Sequence, residues 1–154
     1  LTGGFIPLAA TIFSEKIHKE FVATDLKKTF LHGHTFSANP VACSVALSSL
    51  QLFEKDNTFK KIKMISKIHS KFLLELSKNP SVSKIRMIGT IAAFDYHKVS
   101  NVYGSTESLL LRQKFLENGM LLRPIGNTIY LMPPYCISEI NLKKSYEKII
   151  EILQ

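Results

Sequence analysis

The hydrophobic periodicity of the sequence changes at Asn79-Pro80. Before this pair, apolar residues recur at helical spacing from about Thr58 to Ser77. After it, Val82–Ile88 and Thr90–Tyr96 have the composition of two strands that flank a single glycine. The residue before a proline disfavours helical backbone, so the long helix has to end here. A helix followed by paired strands predicts an α+β unit rather than a helical bundle.

The remainder of this C-terminal part continues the mixed pattern. A helix is predicted from Ser105 to Asn118 and ends on Gly119, which suits a left-handed cap. Met120–Arg123 and Thr128–Met132 are predicted to form a hairpin around a Pro-Ile-Gly-Asn turn. A last amphipathic helix begins near Ser138.

The N-terminal part has a different character and predicts the edge of a larger α/β unit. Asn39-Pro40 is a strong helix start, because Asn caps well and Pro fits the first helical turn. We place the boundary between the two parts near residue 55. The predicted elements before it are a turn at Thr2-Gly3-Gly4, a buried strand Phe5–Phe13, a short helix from Ser14 toward Lys19, a loop Thr29–Phe36 and a helix Val41–Glu54.

Composition excludes several classes of protein. With 154 residues, the chain is long enough for one domain with a core. No apolar run is long enough to cross a membrane, and no signal peptide is apparent. Cys43 and Cys136 lie far apart and show no metal or redox spacing, which indicates a reducing, cytoplasmic compartment.

The net charge of +8 comes mostly from lysines, several of which cluster in one segment. A basic cluster can bind nucleic acid, but such patches usually include arginine and interleaved aromatic residues, which this one lacks. We favour the solvated face of a helix and expect no nucleic-acid partner. The clustered residues are Lys60, Lys61, Lys63, Lys67 and Lys71.

Two segments have residues suited to binding chemistry. In the segment from His32 to Pro40, a glycine loop and Thr35 precede a helix N-terminus, an arrangement that suits a phosphate as well as it suits a plain capped loop. A metal site at His32 and His34 is disfavoured, because no Cys or carboxylate ligand is near in sequence.

The second segment, Leu122–Asn127, places Arg123 in a Pro/Gly turn between apolar runs. A guanidinium held there could pair with a carboxylate in a geometry that lysine would not reproduce. The residues alone favour a surface salt bridge instead. Asp95 and His97 are interpreted as ordinary hydrogen-bonding residues.

In this order, the runs LTGGFIPLAATIFS, HGHTFSANPVACSVAL and LLRPIGNTIYLMPPY resemble the class-III aminotransferases. The resemblance implies the α/β fold of fold-type-I pyridoxal-phosphate-dependent transferases. Residues 1–55 would then form the C-terminal edge of the large cofactor-binding domain and a linking helix. Residues 56–154 would form the small C-terminal α+β domain.

The resemblance also implies site residues. In the family, a lysine–glycine pair directly precedes L-T-G-G, and its lysine forms the Schiff base with pyridoxal 5'-phosphate. We therefore expect this lysine upstream of Leu1 and expect this chain to be inactive alone. His34 and Thr35 match positions that bind the cofactor phosphate. Gly33, Arg123 and, with a looser match, Tyr130 match positions at the substrate. No metal site and no catalytic residue are implied within the chain.

The activity that the resemblance implies is transfer of an amino group from S-adenosylmethionine to 8-amino-7-oxononanoate in biotin biosynthesis. Expected partners are these small molecules, a missing N-terminal part of the same enzyme and a homodimer partner. Two alternatives stay open: another class-III aminotransferase acting on an ω-amino acid such as ornithine or 4-aminobutyrate, and a truncated, non-catalytic remnant.

Overall fold

A computed structural model describes residues 1–154 and divides them into two compact units, Leu1–Asp56 and Asn57–Gln154. None of the helices combines the length and apolar content needed to cross a membrane. The elements are α1 (Glu15–Phe21), a 3-10 turn (Leu26–Lys28), α2 (Pro40–Lys55), α3 (Thr58–Leu76), β1 (Val82–Ile88), β2 (Ile91–Tyr96), α4 (Thr106–Glu117), β3 (Thr128–Leu131) and α5 (Glu139–Leu153).

The first unit has almost no core of its own. Its buried residues are Thr2, Ala42 and Ala46. The predicted buried strand Phe5–Phe13 is wrong: this segment forms no strand, and Phe5 and Ile12 are 89% and 94% exposed. A strand needs a neighbouring strand to satisfy its backbone, and this unit contains none.

The start of α2 is confirmed in atomic detail. The side-chain oxygen of Asn39 accepts hydrogen bonds from the backbone N–H groups of Val41 and Ala42 at 3.0 and 3.1 Å. Pro40 occupies the first helical turn, where a backbone N–H is not needed. α2 and the first unit end together, at Lys55 and Asp56.

A three-stranded antiparallel sheet in the order β1-β2-β3 forms one layer of the second unit. β1 and β2 match the predicted strands and turn at Gly89, whose φ is +54°. The register of β1 shifts between Ser83 and Arg86, where Lys84 has a φ of +46°. This irregularity is a bulge in the strand at the edge of the sheet.

The predicted hairpin between Met120–Arg123 and Thr128–Met132 is wrong in its first arm. Residues 120–124 form no strand, and only Ile125 makes an isolated bridge to Thr128. Pro124 lacks a backbone N–H and therefore cannot donate to a ladder. β3 pairs with β2 instead, with Ala93 opposite Tyr130.

Helices α3 and α5 contact each other, and α3 packs against the sheet. The core includes Ile65, Phe72, Phe94, Ile129 and Tyr146. Ser105 caps α4 and Ser138 caps α5 through their hydroxyls, and Gly119 follows α4 with a φ of +75°. These caps confirm the predicted helix ends in this unit.

Candidate functional site

The loop before α2 holds Thr35 in a tight turn. The backbone N–H of Ser37 donates to the carbonyl of His34 at 2.8 Å, and that of Asn39 donates to the carbonyl of Phe36 at 3.2 Å. Thr35 is exposed, and neither its hydroxyl nor its N–H has a hydrogen-bond partner in the chain. The turn therefore presents two free donors side by side, as an anion requires.

His34 is already engaged within the same turn. Its N–H donates to the hydroxyl of Ser37 at 3.2 Å, and its ring Nδ1 accepts from the N–H of Phe36 at 3.2 Å. The amides at the start of α2 are likewise bonded to Asn39. A phosphate at this loop would therefore depend on Thr35 more than on His34 or the helix N-terminus.

Gly33 and the histidines show fewer features of a binding site than Thr35 does. Gly33 is exposed, and a Cβ at this position would meet nothing within 4 Å, so packing within this chain does not require a glycine. No group of three or more His, Cys, Asp or Glu side chains could hold a metal ion.

Arg123 lies in a segment fixed at both ends. Before it, the N–H of Met120 donates to the carbonyl of Phe115 at 2.9 Å. After it, Ile125 and Thr128 exchange backbone hydrogen bonds of 2.9 and 3.0 Å. The guanidinium is exposed and makes no ion pair, since the ion pairs of the chain lie elsewhere. The surface salt bridge that the residues alone favoured is therefore absent.

Gly126 allows this segment to turn. Its φ is +58°, and an added Cβ would overlap the carbonyl oxygen of Asn101. Only glycine combines that backbone conformation with such close approach to another backbone.

Tyr130 lies in β3 and is half-buried, on the sheet face opposite to the buried Ile129 and Leu131. Thr128 shares its face. Arg123 and Tyr130 thus lie in one continuous stretch of the second unit, whereas Gly33, His34 and Thr35 belong to the first unit.

The sequence interpretation missed a charged cluster on this face of the sheet. Asp95 is 5% exposed, and its Oδ1 accepts from the Thr128 hydroxyl at 2.8 Å and from Arg86 Nη1 at 3.2 Å. The ammonium of Lys84 lies 3.4 Å from Oδ2. The sequence shows a carboxylate in one predicted strand and one of the few arginines in the next. Predicting that the two side chains meet would have required the register of the sheet.

Burial by itself would raise the pKa of Asp95. Hydrogen bonds from Thr128, and then from Arg86 and Lys84, outweigh burial and hold the pKa below its usual value of 3.8. Asp95 is therefore a fixed negative charge between two cations. Its contacts with Lys84 and Arg86 of β1 and with Thr128 of β3 join all three strands of the sheet.

Comparison with known proteins assigns the chain to a family. Residues 1–153 match the sequence profile described as aminotransferase class-III. The chain belongs to the class-III aminotransferase family. As a family member it shares 37% identity, over 99% of its length, with the adenosylmethionine-8-amino-7-oxononanoate aminotransferase of Synechococcus elongatus. It is also 37% identical, over 99% of its length, to the enzyme of that name from Helicobacter pylori.

Solved structures agree with this assignment. The crystal structure of adenosylmethionine-8-amino-7-oxononanoate aminotransferase from Methanocaldococcus jannaschii superposes with a TM-score of 0.85, at 33% identity over 99% of this chain. A bacterial amine transaminase superposes with a TM-score of 0.84 at 23% identity, which shows the fold alone. The fold-type-I α/β class expected from the sequence is thereby confirmed. The present chain spans about 36% of the length of these relatives.

Proposed function

We propose that this chain is the C-terminal part of an aminotransferase that moves an amino group from S-adenosylmethionine to 8-amino-7-oxononanoate, giving 7,8-diaminononanoate. The observation that carries the proposal is Arg123, an exposed and unpaired guanidinium on an irregular segment that backbone hydrogen bonds hold at both ends. The similarity to relatives named adenosylmethionine-8-amino-7-oxononanoate aminotransferase supports the choice of substrates.

Arg123 would pair with the substrate carboxylate through two parallel hydrogen bonds, which fix direction as well as charge. Tyr130, from the strand that follows, would line the same pocket. For Gly33, in the first unit, the resemblance supports a contact with the substrate through the backbone only. Loss of the pairing would cost on the order of 2–4 kcal/mol in substrate binding.

Thr35 fits the phosphate of pyridoxal 5'-phosphate, because its hydroxyl and N–H are both unbonded and exposed. We propose His34 only as a backbone neighbour of that phosphate. The bound cofactor would supply the electron sink for amino transfer. Since the lysine that would hold it is expected before Leu1, the residues of this chain would bind and orient rather than move protons.

The remaining two-thirds of the family's length would complete the enzyme. The first unit leaves large apolar side chains exposed, including Phe5, Ile12 and Leu31, and such surface is typical of an interface. We propose that an N-terminal part of the same enzyme and a homodimer partner cover it, in the cytoplasm. The 154-residue chain alone is expected to be inactive.

The test uses a protein that joins this chain to the rest of the family's length. With pyridoxal phosphate bound, its visible absorbance should bleach on adding S-adenosylmethionine and return with 8-amino-7-oxononanoate. Bleaching by ornithine or 4-aminobutyrate instead would assign another class-III substrate. An absence of cofactor absorbance would favour a non-catalytic remnant.

Substitutions at Arg123 and Thr35 test the roles proposed for the two units separately. Arg123→Lys should raise KM for the keto acid, because a point charge does not reproduce the guanidinium fork. Arg112→Lys, at an exposed position of α4, is the matched control and should leave KM unchanged. Thr35→Val should weaken cofactor binding, and Thr35→Ser should restore it. An unchanged KM in Arg123→Lys would remove the proposed carboxylate contact.

A further inference from the structure

The segment that carries Arg123 is tied to the sheet at Thr128. Ile125 and Thr128 exchange two backbone hydrogen bonds, and the N–H of Tyr96 donates to the carbonyl of Asn127 at 2.9 Å. Between Arg123 and the end of β3, Thr128 is the only residue whose side chain makes a hydrogen bond. Its hydroxyl is therefore the one side-chain tether of this segment.

The link from Thr128 back to Arg123 is short and stiff. Ile125, which both backbone hydrogen bonds hold, follows Pro124, whose ring fixes φ. A residue before a proline is restricted to extended backbone, so Arg123 has little conformational freedom either. A displacement of Thr128 would therefore be carried to Arg123 rather than absorbed between the two residues.

Asp95 holds the hydroxyl of Thr128. Its Oδ1 accepts the hydroxyl hydrogen at 2.8 Å, and the residue is almost completely buried. Asp95 stands opposite Thr128 in the register, and Ala93 stands opposite Tyr130, so these four side chains share one face of the sheet. The tether of the segment thus lies on the same face as Tyr130, the second residue proposed for the substrate pocket.

The bulge in β1 brings Arg86 to the same carboxylate. Ser83 pairs with Asp95 and Arg86 pairs with Ala93, so three steps along β1 match two steps along β2. Without the extra residue, Arg86 would point to the opposite face of the sheet. The bulge also holds Lys84 at a φ of +46°, a backbone conformation that is unfavourable for lysine. An unfavourable backbone is therefore kept at the place that supplies both cations to Asp95.

We propose that Asp95 and Thr128 are positioning residues for Arg123, an inference that rests on the carboxylate contact proposed above. The two cations of the bulge fix the carboxylate of Asp95, the carboxylate fixes Thr128, and Thr128 fixes the segment that presents the guanidinium. A guanidinium fork pairs with a carboxylate in a narrow range of directions, so small displacements of the segment weaken the pairing. Asp95 therefore acts on substrate affinity without touching the substrate.

The test uses the protein that joins this chain to the rest of the family's length, with pyridoxal phosphate bound. Thr128→Val removes the hydroxyl and keeps a branched side chain. It should raise KM for the keto acid roughly three- to tenfold, as expected for one lost hydrogen bond, and leave kcat and cofactor binding unchanged. Thr128→Ser keeps the hydroxyl and should restore KM. Thr106→Val, at an exposed position of α4, is the matched control and should leave KM unchanged.

A double-mutant cycle shows whether Thr128 acts through Arg123. If it does, Thr128→Val should change KM by less than about twofold in a protein that already carries Arg123→Lys, whereas independent effects would multiply. The methyl ester of the keto acid offers no carboxylate to Arg123. Thr128→Val should therefore leave KM for the ester unchanged.

The outcomes separate this inference from the proposed function. An unchanged KM in Arg123→Lys would remove the carboxylate contact, and the positioning role with it. A raised KM in Arg123→Lys together with an unchanged KM in Thr128→Val would overturn the positioning role alone. Effects that multiply, an equal rise of KM for the ester, or loss of bound cofactor in Thr128→Val would show that Thr128 supports the fold in general, and would overturn the positioning role as well.

Discussion

The Nδ1 atom of His69 lies 2.6 Å from the hydroxyl oxygen of Tyr146, in the core between α3 and α5. The other ring nitrogen, Nε2, lies 3.0 Å from the carbonyl oxygen of Thr90. A carbonyl can only accept, so Nε2 carries the hydrogen and Nδ1 accepts the hydrogen of Tyr146. A neutral histidine satisfies both contacts, whereas a protonated one would donate from Nδ1 to the hydroxyl oxygen and leave the buried hydroxyl hydrogen of Tyr146 without this acceptor.

The stability of the second unit should depend on pH through His69. Burial lowers the pKa of His69 below 6.5, and the hydrogen bond to Thr90 offsets only part of this. With a folded pKa below the unfolded one, the contribution of His69 to stability is complete above about pH 6.5 and falls as the pH drops through the folded pKa. Urea unfolding between pH 8 and 5 should show this loss. It should shrink in His69→Gln and persist in His97→Gln, which changes an exposed histidine.

Tyr146→Phe should destabilise the second unit by about 1–3 kcal/mol, since it leaves a buried acceptor on His69 without a donor. The ring stacking on Phe72, with centroids 4.8 Å apart, would be kept. Hydrogen exchange of α3 and α5 amides measures the change. Tyr103→Phe, at a position 72% exposed, is the control. Equal protection in both variants would mean that the hydroxyl contributes nothing.

Gly126→Ala and Gly104→Ala form a matched pair, because both glycines have positive φ. A Cβ at Gly104 meets nothing within 4 Å, so alanine there should cost only the left-handed backbone strain, about 1–2 kcal/mol. At Gly126 the overlap with Asn101 adds to that strain. Thermal unfolding should show the larger loss for Gly126→Ala; equal losses would contradict the close approach.

Asp95→Asn should lower stability at neutral pH by about 1.5–3 kcal/mol, as charge-assisted hydrogen bonds are lost. Because the folded pKa is depressed below 3.8, the contribution of Asp95 is present above that value and is lost as pH falls through the folded pKa. Acid unfolding curves of the unchanged chain and the variant should therefore converge at low pH. Glu147→Gln, an exposed change in α5, should follow the unchanged chain throughout.

Asn39→Ala should reduce the helicity of α2 and cost about 1 kcal/mol, because two amides lose their acceptor. Asn39→Asp keeps an acceptor at the same place and should restore the helix. Circular dichroism of the two variants distinguishes them. A helix that is unchanged in Asn39→Ala would show that the cap is not needed.

Local chemistry explains which parts of the structure could be predicted. Caps such as Asn39 and Ser105, and the strand-forming residues on either side of Gly89, act over a few residues and are visible in the sequence. The strand expected at Phe5–Phe13 failed because its apolar run has no partner within these residues. The hairpin arm at Met120–Arg123 failed because apolar content does not show which segment β3 pairs with, and its partner is the more distant β2.

The candidate site also has parts that the sequence predicted and parts that it did not. Arg123 and Thr35 were identified from the resemblance and from turn residues, and both are exposed and unbonded. The contacts of Asp95 with Thr128 and Arg86 join three strands, and they depend on a register that no single segment specifies. Likewise, nothing in the sequence around His34 showed that Ser37 and Phe36 occupy its polar groups.

In the segment from Arg123 to Gly126, the exposed side chain and the position that fixes the backbone are different residues. Position 123 points to solvent and touches no other side chain through a polar contact, so it could change in descendants of this protein without harm to the fold. Position 126 is held to glycine by the Asn101 backbone, whatever the substrate. If Arg123 has the role proposed for it, a lineage could change the acid that is bound by substitution at position 123 alone, while the loop that presents the residue is inherited intact.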